Sequence, residues 1–219
     1  LDGRKRSAQE VTLFIMVTGE MRPPVTQTLG SCIMLMIDLG AGLKGASRAM
    51  KERGWDVITL DINPAFGCDV TADVREWHYT GKRHVDLLWF SMPCDEFARE
   101  SMPWSRTGTI PDMSLVLSCL RLRDEIQPTY WICENVRGAI SWFKPYLGKY
   151  RFHAGPFFLW GYFPIPGKVD MRTFKKKESY GSKQRAERAE IPSSLSRAIA
   201  IQIESQVALP LPNNACSGR

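Results

Sequence analysis

Apolar residues in this chain gather in short continuous runs separated by polar, glycine-bearing connections. Residues 32–38, 57–62, 85–91 and 130–133 are runs of strand length with few charges, the pattern of strands covered on both faces. Between them the period becomes helical. Residues 46–53 (A-S-R-A-M-K-E-R) predict a helix ended by Gly54, and residues 111–125 predict a longer one carrying Leu115, Leu117, Leu120 and Leu122. Residues 193–207, introduced by Ile191-Pro192, place Leu195, Ile199, Ile203 and Val207 four apart, which predicts a helix with one apolar face. Repeated strand–helix alternation of this kind predicts an α/β fold, a mostly parallel open sheet with helices on both faces and right-handed crossovers.

The flanking segments read differently. Residues 1–30 predict an N-terminal extension in which 11–17 is a strand or a helix start, broken off by a stretch containing Pro23-Pro24. The opening Leu1-Asp2-Gly3-Arg4-Lys5-Arg6 has no initiator Met and reads as a truncated start, with no signal-type cleavage pattern behind it. Residues 31–208 then form the main predicted domain, with 142–190 as a reduced recognition region in which 152–163, aromatic and glycine-rich, reads as strands or a loop. Residues 209–219 predict a disordered tail.

Composition narrows the class. The six cysteines stand singly, with no C-x-x-C pair, and the three histidines are far apart, so neither a disulfide framework nor a metal site is expected. Cys68, Cys119 and Cys133 read as small buried hydrophobes. Reduced thiols and the lack of any apolar run long enough to span a bilayer predict an intracellular protein, cytoplasmic or nuclear, with no membrane partner. A net charge of +6 suits a polyanion.

The first strand runs into Gly40-Ala41-Gly42-Leu43-Lys44-Gly45, a G-x-G-x-x-G turn opening a helix, and Asp61 closes the next strand 21 residues after Gly40. That spacing serves NAD or S-adenosylmethionine. Asp38 separates them: a carboxylate immediately before the turn repels a pyrophosphate and favours a sulfonium and an α-ammonium, although it could also simply cap the turn. Downstream, Pro93-Cys94 closes one apolar strand and Glu134-Asn135-Val136 closes another. A strand-end thiol and a strand-end carboxyl face the crevice where α/β sheets bind ligands. They suit covalent activation of a pyrimidine, in which thiolate adds to carbon 6 while an acid sits at N3.

These segments resemble the DNA cytosine-C5 methyltransferase family. Residues 37–45 look like its D-L-F-A-G-x-G-G turn and Asp73-Val74 like its D-I pair. Ser91-Met92-Pro93-Cys94-Asp95-Glu96-Phe97-Ala98 is similar to its P-C-Q-x-F-S loop, and Glu134-Asn135-Val136 matches its E-N-V. The helix after Ile191-Pro192 resembles the closing helix of short viral and phage-type members. The resemblance implies a Rossmann-like class I S-adenosylmethionine-dependent methyltransferase fold, with Cys94 as nucleophile and Glu134 as the N3 partner. It further implies that Asp38, Leu39, Gly40, Gly42, Gly45, Asp61, Ile62, Asp73, Val74 and Ser91 line the methyl donor.

Departures from the family pattern carry their own expectations. Gly40 stands where the family has an aromatic residue, and Asp95 and Ala98 stand where it has Gln and Ser. Asp95 places negative charge beside a thiol that should ionise. Gln184 to Arg188 echoes the family's Q-x-R-x-R, which makes Arg185 and Arg188 candidate catalytic cations. Lys175, Lys176, Lys177 and Lys183 read as a phosphate-contacting surface or a solvated loop. Trp142, Phe143, Trp160, Tyr162 and Phe163 read as core or as stacking surfaces for an extruded base. The expected substrate is DNA, with a second chain supplying target recognition left open. Two rival readings remain: a non-catalytic DNA-binding or partner subunit on the same fold, and an amino-methyltransferase acting on cytosine N4 or adenine N6.

Overall fold

The computed structural model describes residues 33–171, 187 and 189–208. Among them, seven strands form one sheet: β1 (Leu35–Leu39), β2 (Asp56–Asp61), β3 (Val70–Thr71), β4 (Leu87–Ser91), β5 (Tyr130–Asn135), β6 (Phe152–Ala154) and β7 (Phe157–Tyr162). Their order across the sheet is β3-β2-β1-β4-β5-β7-β6. The first five run parallel, β7 runs antiparallel to β5, and β6 pairs antiparallel with β7. The helices are α1 (Gly45–Glu52), α2 (Asp95–Ser101), α3 (Ser114–Ile126), α4 (Ile140–Leu147) and α5 (Ser193–Ala208). The chain winds outward from β1 to β3 and returns beside β1 as β4. That reversal opens a crevice at the carboxyl ends of β1 and β4, the switch point where open α/β sheets bind ligands. This is the Rossmann-like class I methyltransferase arrangement that the sequence pattern predicts.

Strand alternation divides the core into two layers. Leu39, Leu60, Phe90 and Cys133 point to one face, where Val116, Cys119 and Leu122 of α3 and Phe143 of α4 cover them. Met36, Leu87, Trp89 and Ile132 point to the other, under Ala46, Ala49 and Met50 of α1 and Leu195, Ile199 and Ile203 of α5. Fully covered faces explain why the strands read as unbroken apolar runs. The four-residue spacing in α5 is the stripe that packs on the sheet. Val207, the last member of that pattern, is exposed.

The structure decides one open reading and differs from the sequence at two places. The aromatic stretch is a hairpin joined through Gly155-Pro156, with Gly155 at φ 55°, so residues 152–162 complete the sheet. Phe143, Trp160 and Phe163 are accordingly buried core, whereas Tyr162 is exposed. Helix α4 was not legible because Pro145 lies inside it. Cys119 and Cys133 are buried as expected, but Cys68 is only half-buried. The predicted extension over 1–30, the basic stretch and the tail over 209–219 lie outside the described residues. No helix among the described residues is long and apolar enough to cross a membrane.

Candidate active site

The glycine turn is shaped by close approach. Gly40 adopts φ 68°, and a Cβ there would lie 2.3 Å from the Ser91 carbonyl oxygen, so this backbone has no room for a side chain where the resembling family carries an aromatic. Gly42, at φ 48°, donates its amide to Asp61 Oδ2 at 3.0 Å, and Asp61 Oδ1 accepts the Asn63 amide at 2.9 Å. Both oxygens of Asp61 are thereby oriented, each with acceptor capacity remaining. Ile62 follows at the end of β2, 63% exposed, an apolar surface next to Asp61. Gly45 has a different neighbourhood from the other two glycines. A Cβ on it would meet the Ile191 carbonyl oxygen at 2.4 Å, and its own carbonyl accepts the Ser196 hydroxyl at 3.2 Å, so it allows α1 to approach the segment leading into α5.

Asp38 is fully buried on the α1 side of the sheet, and neither carboxylate oxygen has a hydrogen-bond partner among the described residues. Ser47, on the facing turn of α1, lies near enough to moderate its titration but outside hydrogen-bonding geometry; its hydroxyl is directed at the Lys44 carbonyl at 3.5 Å. Burial pushes the Asp38 carboxyl up to about 7, with the negative charge of Asp61 adding to the shift. A buried acceptor without a donor is costly, and a cationic ligand group would recover that cost. The orphaned carboxylate, the two positive-φ glycines, the oriented Asp61 and the exposed Ile62 together fit a methyl donor with a sulfonium, an ammonium, a ribose and an apolar base. Leu39 points away from Asp38 into the opposite core layer, and Val74 packs half-buried against that same layer. Asp73 is turned to its own Arg75, whose guanidinium reaches Oδ2 at 2.6 Å and holds the carboxyl below the usual range. Ser91 accepts the Trp89 indole N–H at 2.9 Å, and its carbonyl abuts Gly40.

The second half of the site is built where β4 and β5 end together. Ser91 is the register partner of Glu134. Met92 continues to Pro93 and then Cys94, which is half-buried at the entry to α2 and accepts the Ala98 amide through its carbonyl at 2.8 Å. Two contacts bind this segment to the end of β5. Asn135 donates through Nδ2 to the Met92 carbonyl at 3.3 Å, and a Cβ on Gly138 would lie 2.2 Å from the Phe97 carbonyl oxygen. The turn after β5 is thus packed directly on α2. Glu134 is 7% exposed, and burial pushes its carboxyl up to about 8, so the protonated form prevails at neutral pH. Asp38 is level with Trp89, and Glu134 with Ser91, so both acids are on one face of the sheet, two strands and two residues apart. That places their Cα atoms about 12 Å apart at ordinary strand spacing.

Beyond Cys94, a cavity of about 380 Å³ is lined by Met92, Pro93, Asp95, Phe97, Leu115 and Val116. Glu100 anchors the following loop by accepting the Thr107 amide and hydroxyl and the Gly108 amide, which with Arg99 bring its carboxyl down to about 2. Sequence reasoning missed the roles of Asn135, Gly138 and Glu100. Asn135 lay inside a recognised motif, but its partner is 43 residues away. Arg185, Arg188, Lys175, Lys176, Lys177 and Lys183 lie outside the described residues.

No family model matches the chain. It is 31% identical over 134 aligned positions to the type II methyltransferase M.XorII of Xanthomonas oryzae pv. oryzae (strain KACC10331 / KXO85), an alignment that covers 52% of this chain and 30% of that relative. A structure of a Spodoptera frugiperda DNMT2 mutant is 22% identical, covering 48% of this chain and 36% of that one at a TM-score of 0.35. The Entamoeba histolytica methyltransferase EhMeth is 14% identical, covering 64% and 56% at a TM-score of 0.44. The chain thus pairs a class I methyltransferase strand order with sequence similar to a type II methyltransferase over about a third of that relative's length.

Proposed function

We propose that this chain methylates C5 of cytosine in DNA, with S-adenosylmethionine as donor and Cys94 as a transient covalent nucleophile. One observation carries the reading: Glu134, a buried carboxyl, lies at the end of the strand beside the one that delivers Cys94, level with Ser91, and Asn135 ties the two strand ends together. In this reading the Cys94 thiolate adds to C6 of the base, and Glu134 places its proton at N3, which relieves the charge that builds on the ring. Bound at Asp38, Gly40, Gly42, Asp61 and Ile62, the donor supplies an electrophilic methyl group. Loss of the C5 proton then expels Cys94 and restores the aromatic ring. Reaching C6 requires the cytosine to leave the helix stack. Lys175, Lys176, Lys177 and Lys183 would contact phosphates, and Arg185 and Arg188 would hold the target nucleotide. Recognition would come from residues 142–190 or from a second chain.

The carboxylates of Asp95 and Glu96, in the first turn of the helix that Cys94 opens, favour a second reading, a DNA-binding subunit without turnover. Duplex DNA incubated with the full chain and methyl-labelled donor, then digested to nucleosides for mass analysis, decides between them. Labelled 5-methylcytosine is the expected product. Labelled N4-methylcytosine or N6-methyladenine overturns the C5 assignment, and donor binding without any labelled nucleoside supports the subunit reading.

A further inference from the structure

Among the described non-glycine residues, only Lys44 and Gln127 have positive φ. Gln127, at φ 50°, ends α3 just before Pro128, a place where left-handed backbone serves as a helix stop. Lys44 closes the glycine turn instead, its amide donating to the Ala41 carbonyl at 2.7 Å. It stands at the entry to α1, where extended backbone is usual, at φ 63° and ψ 28°, and makes no side-chain cap. A side chain held in that region is strained, and strain of this kind persists where another contact requires it. Beyond its own turn Lys44 reaches the segment that follows β2: its Nζ donates to the Gly67 carbonyl at 2.6 Å. Gly67, itself at φ 57°, closes the 3-10 turn Pro64–Phe66 that follows Ile62 and Asn63.

Residues 61–67 are therefore held to the glycine turn at both ends. Gly42 grips Asp61 at one end and Lys44 grips Gly67 at the other. Ile62 lies between the two anchors with its side chain exposed. We infer that Lys44 is a positioning residue for the methyl-donor site, its ammonium latching residues 62–67 in the conformation that presents Ile62 and Asp61 to the donor. The inference rests on the donor reading given above.

Calorimetric titration with S-adenosylmethionine and with S-adenosylhomocysteine tests it on the full chain. Lys44→Met keeps the side-chain strain and loses the latch, and should weaken both ligands about tenfold, the worth of one charge-assisted hydrogen bond. Lys44→Arg should stay within about threefold of the parent, since it keeps a donor on a long stem. Lys44→Gly should lose affinity like the Met variant yet melt about 2–4 °C above it, because glycine relieves the backbone. Hydrogen exchange at the Phe66 and Gly67 amides should quicken in the Met variant without ligand. Met and Gly variants that bind both ligands as the parent does would overturn the inference, as would affinity losses that merely track a falling melting temperature. A parent chain that binds neither ligand would overturn the donor reading itself and the inference with it.

Discussion

Asn135 Nδ2 donates to the Met92 carbonyl at 3.3 Å, with both groups buried, while Asn135 Oδ1 accepts the Val136 amide at 2.9 Å. One side chain therefore fixes the exit of β5 and the approach to Cys94 together. Asn135→Ala leaves a buried carbonyl and a part-buried amide without their partner, at a cost of about 1–3 kcal/mol for the carbonyl and less for the amide. Denaturant melts should show that loss, and single-turnover methylation should fall further than the loss of folded protein accounts for. Donor affinity should stay unchanged, since Asn135 is remote from Asp38 and Asp61.

Gly138 provides the second link between the same two segments. Its position 2.2 Å, Cβ to oxygen, from the Phe97 carbonyl leaves no space for a methyl group against backbone. Gly138→Ala should displace α2 and cost about 1–3 kcal/mol by overpacking. The check is a pair of measurements, melting temperature and the rate of adduct formation, both of which should drop.

Glu134 couples stability and activity to pH in the same direction. Its folded value of about 8 stands above the ordinary 4.5, so the folded state holds a proton that the unfolded chain releases. Stability from this group is complete below about 4.5 and declines as pH rises to about 8, by up to about 1.4 kcal/mol per pH unit. Glu134→Gln should flatten that decline and make the protein more stable than the parent at pH 8. It should also slow methylation about 10²-fold or more by removing the proton. Parent activity should fall as pH passes about 8, and the Gln variant's residual activity should not.

Asp38 should release a proton when the donor binds. Its carboxyl titrates near 7 in the protein without ligand, and a neighbouring sulfonium or ammonium favours the ionised form. Affinity should therefore rise with pH up to about 7 and level off above it. Calorimetry at pH 6.5 in two buffers of different ionisation enthalpy should report a net release of protons. Asp38→Asn should abolish both the release and the pH dependence.

How far the sequence foretold this arrangement depends on the range of the interactions. The strands at 35–39, 56–61, 87–91 and 130–135 were legible because two-sided burial writes itself as apolar runs, and α1 because Gly54 stops it. The direction of β7 was not, since its alternation is the same whether it runs parallel or antiparallel to β5. In the site, Cys94 and Glu134 were legible as strand ends, and Gly40 and Gly42 as turn residues. That Gly45 serves helix packing and that Lys44 reaches Gly67 are set by tertiary geometry, whereas the Asp73–Arg75 pair is only two residues apart and is set by the local turn. Cys68 was read as buried only by the default for a lone cysteine, whereas it sits between Gly67 and Asp69 in the connection beyond the 3-10 turn.

The most direct test of the account is covalent capture at Cys94. Duplex DNA carrying 5-fluorocytosine in place of cytosine, incubated with the full chain and S-adenosylmethionine, blocks the final loss from C5 and holds the thiol on C6. A denaturant-stable protein–DNA adduct whose peptide mass maps the base to Cys94, and which is lost in Cys94→Ser, is the predicted result. Methylation of unmodified DNA that survives Cys94→Ser at the parent rate, or an adduct mapped to another residue, would contradict it.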